Sequence, residues 1–498
     1  MAPLNDHILA ICYNHFVLLP LGRSAPLYRR IYEALRQKIL SGELAAGASL
    51  PGTRTLARDL GVSRIVVLAA FEQLAAEGYI ESQIGSGSRV AVQVPAVQAP
   101  SRHRAADAAE ATVSAYARRA RQLSPQEPPG QEPSRAKGAI DFRYTTTVPD
   151  ARTVTLWRQA IARAAAEPQV DYPDPAGLPS LRRVLASHLR EQRGVAADAE
   201  DIVIVSGAQQ AIDLTARVLC DAGTRIGLED PHYQGTRQAF AAAGARVVPC
   251  AVDDEGLDIE RHAKRLGDAR AVCVTPSHQF PTGAIMSVAR RLALLQWAGA
   301  RRAWIVEDDY DCEFRYGVGA IPALQGLDER GRVIYIGTFA RMLFPALRLG
   351  YIVAPPALRE AFRTVKWLAD RGSPALEQQA VASLLESGAY ESLRRRSVRA
   401  LTEKRDRMVA AISSHFSDAI ATGASSGTHI FLRLPRLRAD ATERLIESAR
   451  GLGVHVYSGR PYYALAPRHA TLLLGYTTVA AADIERGVER LAAAYRSV

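Results

Sequence analysis

The stretch AWIVEDDYDCEFRY, residues 303–316, sets the reading of the whole chain. It begins as a short apolar run of the kind that forms a strand buried on both faces. It then turns acidic, with Asp308 and Asp309 adjacent where the strand should end. Open α/β sheets bind their ligands at the carboxyl ends of the strands. Two neighbouring carboxylates at such a place read either as a helix cap or salt bridge, or as part of a binding site.

Runs of the same type recur on both sides: IVIV from 202, RIGLE from 225, RAVCV from 270, VIYIG from 333 and LGYIVA from 349. Amphipathic stretches such as QQAIDLTARVL and VARRLALLQWA separate several of them. The alternation predicts a large α/β domain over 138–375, its mainly parallel sheet covered by helices on both sides. Residues 376–498 mix helices with HIFLRLP and TLLLGY and read as a smaller α+β domain. Two further loops carry chemistry. SGAQQAIDL, from Ser206, follows a strand and opens a helix, where backbone N–H groups favour an anion; taken alone, many α/β loops look the same. TPSHQFPTGAIM, from Thr275, is a polar turn at another strand end.

Residues 24–92 have a different grammar. PLYRRIYEALRQKIL starts with proline, suited to a first helical turn, and puts Leu27, Ile31, Leu35 and Ile39 on one face. TRTLARDLGVSRIVVLAAFEQLAAEGY then reads as helix, glycine-containing turn, helix, with Thr53 and Ser63 as expected N-caps. GYIESQIGSGSRV reads as two short strands around a glycine-rich tip. The sum is a winged helix-turn-helix, whose second motif helix enters the DNA major groove. Arg54, Ser63 and Arg64 would reach double-stranded DNA there, and Gly87 and Arg89 would sit on the wing. Each arginine alone reads equally as a solvated surface residue.

Between these zones, residues 93–137 contain SPQEPPGQEPS and cannot bury a core, so they read as a flexible linker. Residues 1–23 read as a leader. Their apolar segment HILAICYNHFVLLPL is too short to cross a bilayer and lacks the basic start of a signal peptide. Five cysteines without C-x-x-C spacing argue against a disulfide framework or a zinc site, and fit a reducing cytoplasm. The net charge of +11 suits a polyanion partner, although a soluble basic protein is the commoner reading of charge alone. Lysine occurs only at Lys38, Lys137, Lys264, Lys366 and Lys404, so nearly all positive charge is arginine. A chemically used lysine could not follow such a drift.

The N-terminal zone resembles the DNA-binding domain of GntR-type bacterial regulators. Arg54, Ser63, Arg64, Gly85 and Gly87 match that family's P-S-x-R, V-S-R-x-T-V and G-x-G-T motifs, while Gly52, Ile65, Val66 and Ser88 depart from them. Val66 removes a hydroxyl from the recognition helix. The ordered motifs DYPDPAGLPSLR, SGAQQAIDL, EDPHYQG, TPSHQFPTG, EDDYDCEFRY and GTFARMLFPALRLGY resemble the MocR-type regulators. In these a GntR-type domain is joined by a linker to a fold-type I aminotransferase-like domain.

The resemblance implies a pyridoxal 5'-phosphate site and a homodimer. Asp308 matches the carboxylate that keeps the pyridine nitrogen protonated, Tyr310 the phenol that bonds the ring hydroxyl, and Tyr233 the aromatic that stacks on the ring. Ser206, Gly207, Ala208, Thr338 and Arg348 match the phosphate cradle. Tyr172 matches a tyrosine that reaches the phosphate held by the other subunit. His278 and Gln279 lie in the turn over the site.

Arg341 stands where the family has its Schiff-base lysine, with Ala340 and Met342 beside it. A guanidinium stays protonated and is a poor nucleophile. The resemblance further implies that Leu473 replaces the arginine that holds a substrate carboxylate. Three readings follow. The first is a transcriptional regulator whose catalytically inactive effector domain binds pyridoxal phosphate, or an amino-acid-related ligand, non-covalently. The second is a regulator whose large domain is a ligand-free dimerisation scaffold. The third is an aminotransferase with a DNA-binding appendage.

Overall fold

The computed structural model describes residues 26–83, 87–92, 113–123, 138–144, 146–316 and 322–498. The expected leader, Gly85 of the wing motif and most of the expected linker lie outside these residues. The chain divides into two compact units, 1–112 and 113–498.

In the first unit, α1 (Leu27–Leu40), α2 (Thr53–Asp59) and α3 (Arg64–Ala76) precede the antiparallel hairpin β1 (Ile80–Gln83) and β2 (Gly87–Val90). Ile31, Leu35 and Ile39 of α1 pack with Leu56 of α2 and with Val67, Phe71 and Leu74 of α3. Leu27 is exposed, because it lies on the first turn, ahead of that core. Gly61, at φ +64°, makes the tight turn between α2 and α3. Thr53 is the first residue of α2 rather than its cap; Gly52 holds the cap position. Ser63 does occupy the cap position of α3, but its side chain makes no capping bond.

The second unit begins inside the segment expected to be a linker. Residues 115–122 form α4 (Ala115–Gln122), capped by the Ser114 hydroxyl, which accepts from Ala117 N. Linker composition hid this helix because none of its residues is fully buried. What holds it is polar: Arg119 Nε donates to Ala242 O at 3.0 Å.

Next come β3 (Ile140–Asp141), α5 (Ala151–Ala166) and α6 (Pro179–Arg193). The main sheet contains β4 (Ile202–Val205), β5 (Arg225–Asp230), β6 (Arg246–Asp253), β7 (Gly256–Leu257), β8 (Ala271–Val274), β9 (Trp304–Asp308), β10 (Val333–Thr338) and β11 (Gly350–Val353). Their spatial order is β4-β11-β10-β9-β8-β5-β6-β7. The run from β10 to β6 is parallel, and β11 is antiparallel to both its neighbours. Helices α7 (Ala208–Leu219), α8 (Gln234–Ala242), α9 (Ile259–Leu266) and α10 (Val288–Arg301) connect strands, and α11 (Arg359–Asp370) follows the sheet. Side chains alternate between its faces: Ile334 and Ile336 pack with Ile212 and Phe240, whereas Val333 packs with Leu294 and Trp297. That two-sided burial is why the strands read as unbroken apolar runs.

The remainder comprises α12 (Ala375–Glu386), α13 (Ala389–His415), β12 (Ile420–Thr422), β13 (His429–Arg438), α14 (Thr442–Gly451), β14 (Val454–His455), β15 (Tyr457–Ser458), β16 (His469–Gly475) and α15 (Ile484–Ser497). Strands β12-β13-β16-β15 form an antiparallel sheet. The boundary expected at 375 differs from the packing on both sides. β3, expected in the large domain, pairs with β14. Gln378 of α12, expected in the small domain, accepts from Leu178 N at 2.7 Å.

Candidate functional site

On the first unit, Ser63 and Arg64 stand exposed at the start of α3, Arg54 on α2 and Arg89 on β2. Gly87, at φ +84°, lies on the wing strand. The Ser63 hydroxyl, uncommitted to its own helix, remains available to a phosphate or base edge. Ile65 is 77% exposed beside Arg64, an apolar residue that a folded core would not leave there without another use.

In the second unit, the carboxyl ends of β4, β5, β8, β9 and β10 bring the expected pocket residues to one edge of the sheet. The acidic run at the end of β9 divides its labour. Glu307 accepts from the N–H groups of Leu324 and Gln325, both at 2.8 Å. Asp309 is held by Arg193 at 2.9 Å and by the Tyr335 hydroxyl at 2.6 Å. Both are structural. Between them Asp308 is buried, yet its Oδ1 has no hydrogen-bond partner among the described residues. Burial pushes the Asp308 carboxyl up to about 6, against the pull of His232 and Arg341. A buried acceptor left open costs free energy unless something else satisfies it.

Beside it, the Tyr310 hydroxyl bonds His278 Nδ1 at 2.9 Å. His278 is buried with Nε2 unpartnered, and burial first, then His429 and Arg341, holds it neutral. Gln279 locks the turn, donating to Pro231 O at 2.8 Å and accepting from the Thr282 hydroxyl at 2.7 Å. It is a positioning residue for the loop. Tyr233, half-buried at the start of α8, meets Phe280 edge-on, ring centroids 6.2 Å apart.

A cradle lies at the start of α7. Gly207 has φ +79°, and a Cβ there would stand 3.1 Å from the Arg348 guanidinium. Arg348 itself has φ +49° and donates to Ser206 O at 3.0 Å. Ala208 is the first residue of the helix, so the N–H groups of its first turn add positive potential. Thr338 is buried next to this turn, its hydroxyl engaged by Leu349 O and Ala340 N. A cavity of about 560 Å³ adjoins the cradle, bounded by Tyr116 of α4, by Leu123 just after it, and by Ser206 and Arg348. Tyr172 is 81% exposed, with the Arg371 guanidinium 4.9 Å from its ring centre.

Arg341 is half-buried. Its Nη1 donates to Tyr144 O at 3.1 Å, and its guanidinium carbon lies 5.5 Å from the centre of the Tyr310 ring. Lys366 offers no substitute amine. It is buried and spends its three protons on Gln210, Asp370 and Ser373. Leu473 is buried among Tyr144, Phe280, Phe431 and Tyr462, so the place matched to a carboxylate-binding arginine is apolar. The paired hydroxyls of Tyr144 and Tyr462 escaped the sequence reading, as nothing links residues 318 apart.

Residues 27–90 match the gntR family of bacterial regulatory proteins, and residues 144–491 the class I and II aminotransferases. A winged helix-turn-helix carried on an aminotransferase fold defines a DNA-binding transcriptional regulator. The probable rhizopine catabolism regulatory protein MocR of Rhizobium meliloti is 35% identical, covering 96% of each chain. The pyridoxine biosynthesis transcriptional regulator PdxR of Corynebacterium glutamicum is 34% identical over 74% of each chain. The structure of an archaeal alanine:glyoxylate aminotransferase superposes with a TM-score of 0.67 at 28% identity, over 78% of this chain and 96% of its own. The chain belongs to the MocR-type regulators of the GntR family. No helix among the described residues is long and apolar enough to cross a membrane.

Proposed function

We propose that the aminotransferase-like unit of this regulator binds pyridoxal 5'-phosphate or a close relative non-covalently, without transamination, and that occupancy biases DNA binding in a cytoplasmic homodimer. The open Oδ1 of buried Asp308 carries this reading. A pyridinium N–H is the donor that such an acceptor lacks, and a charge-assisted bond there would repay its desolvation. When bound, the cofactor would supply an electron-withdrawing ring. Asp308 would hold the proton on the ring nitrogen, Tyr310 would bond the ring hydroxyl, and Tyr233 would cover the ring face. Ser206, Gly207 and Ala208, with Thr338 and Arg348, would take the phosphate, and exposed Tyr172 would reach the phosphate of the other subunit. Arg341 cannot lose its proton to attack a carbonyl, so the ligand would be held by these contacts alone. A relative named for pyridoxine biosynthesis is in keeping with a ligand of this class. Occupancy can change DNA binding only by favouring one arrangement of the dimer over another.

Titration calorimetry of the purified chain with pyridoxal 5'-phosphate tests the reading. Saturable binding is expected, together with its loss in Asp308→Ala. Absence of binding to the wild type would overturn it.

A further inference from the structure

We infer that Arg341 makes this pocket selective for a phosphorylated pyridine bearing a carboxylate at ring carbon 4, the carbon that carries the aldehyde in pyridoxal phosphate. The inference rests on the function proposed above and specifies its ligand.

The position follows from Tyr310 and Arg341. In that reading Tyr310 bonds the hydroxyl of ring carbon 3, which is flanked by carbons 2 and 4, and Arg341 stands where the family's Schiff-base lysine joins the carbon-4 substituent, which selects carbon 4. The Arg341 guanidinium lies over the same tyrosine, 5.5 Å from its ring centre, and is anchored through Nη1 to Tyr144 O. No carboxylate stands within 4.0 Å of it among the described residues, whereas Arg193, Arg182 and Arg290 in the same unit all have one. A half-buried guanidinium without a directly paired anion keeps N–H donors of its planar fork open, and such a fork matches a carboxylate in two parallel bonds.

Of the other charges in the pocket, Asp311 is buried and feels the pull of Arg341, but it stands beside His278 at 3.7 Å and accepts from the Thr428 hydroxyl, making no direct pair with the guanidinium. Arg348 and the α7 N-terminus serve the phosphate, and Asp308 serves the ring nitrogen. His278 and His429 sit nearby but are held neutral, His429 at about 4 by burial and by Arg341. Leu473 and the surrounding aromatic rings cannot receive a carboxylate. A carboxylate on carbon 4 would give Arg341 the direct ion pair that Asp308 and Asp311 influence only from beyond 4.0 Å. An aldehyde there offers only one neutral acceptor, and an ammonium group meets like charge.

Three probes decide the matter by calorimetry on the full chain: 4-pyridoxic acid 5'-phosphate, pyridoxal 5'-phosphate and pyridoxamine 5'-phosphate. The expected order of affinity is carboxylate, then aldehyde, then amine. The carboxylate should lead the amine by at least about tenfold, the gain expected of one or two charge-assisted bonds. Arg341→Gln should compress that span to within a few-fold while leaving pyridoxal 5'-phosphate bound. Equal affinities in the wild type would overturn the inference and leave the proposed function standing, and so would an order that Arg341→Gln does not change. Failure of all three probes to bind would overturn both. The wild-type order is decisive even if the variant does not fold.

Discussion

Asp308→Asn separates the cost of this carboxylate from its use. Wild-type Asp308 is pushed from 3.8 to about 6, chiefly by burial. Between these values the folded chain binds more protons at this site than the unfolded chain does. Stability therefore falls as pH rises through that window and is flat above it. On that shift, ionised Asp308 costs on the order of 1–2 kcal/mol at pH ~5 and about 3 kcal/mol at pH ~8. Asparagine does not titrate. Any fixed penalty from its amide is the same at both pH values, and Glu307, Asp311 and Glu313 titrate in both proteins. Urea denaturation of the unliganded chains should show the variant gaining on the wild type, by on the order of 1 kcal/mol, between pH ~5 and pH ~8. A difference that stays constant, or moves the other way, would refute the assignment of Asp308 as a buried, unsatisfied anion. The same substitution should weaken pyridoxal 5'-phosphate by roughly 10- to 150-fold, because the ring nitrogen loses its ionised acceptor. Stability gained and binding lost in one variant is the mark of a residue kept for function.

Arg341→Lys, incubated with pyridoxal 5'-phosphate, should develop the visible absorbance of a lysine adduct that the wild type lacks. A silent spectrum would mean that position 341 does not face carbon 4. Gly207→Ala forces a Cβ to 3.1 Å from the Arg348 guanidinium at a φ that alanine resists. It should reduce calorimetric affinity for phosphorylated pyridines at least about tenfold, while affinity for unphosphorylated pyridoxal changes little. Arg64→Ala should weaken operator binding by about 1–3 kcal/mol in fluorescence anisotropy if Arg64 reads a base, with relaxed specificity at that base pair. A uniform loss with a shallower salt dependence would place it on a phosphate instead.

How much of this was legible in sequence depended on where each residue finds its partner. The central strands were legible because two covered faces leave a continuous apolar run, as in Ile202–Val205 and Val333–Thr338. Strand β6 was not, since Pro249 interrupts it and only Val248 and Cys250 are buried. The adjacency of Asp308 and Asp309 was legible, but which one serves structure was not. Arg193 makes that decision from helix α6, more than a hundred residues upstream. The recognition face of α3 was readable as a local motif, yet Ile65 and Val66 fill its polar positions; Val66 packs against the core of this unit, whereas nothing in the fold requires the exposed Ile65. Helix α4 was hidden because its stability comes from a serine cap and one long-range arginine bond, not from an apolar stripe.

That helix alters the tether that joins the DNA-binding unit to the aminotransferase-like unit. A structureless segment over 93–137 would reach about 150 Å fully extended. With residues 113–123 docked on the second unit, the span from 93 to 112 can extend no further than about 70 Å. The effective concentration of a second DNA reader at its half-site rises as its tether shortens, provided the span is still met. Half-sites one helical turn apart need only about 35 Å. For the proposed homodimer, docking of α4 would keep a two-site grip geometrically open while tightening it. The same helix walls the cavity that reaches Ser206 and Arg348. A phosphate on Arg348, as proposed, would lie across one cavity from α4, and release of the helix would lengthen the tether. Coupling of ligand to tether would require a second, undocked state of α4, which hydrogen exchange of residues 115–122 with and without pyridoxal 5'-phosphate would reveal.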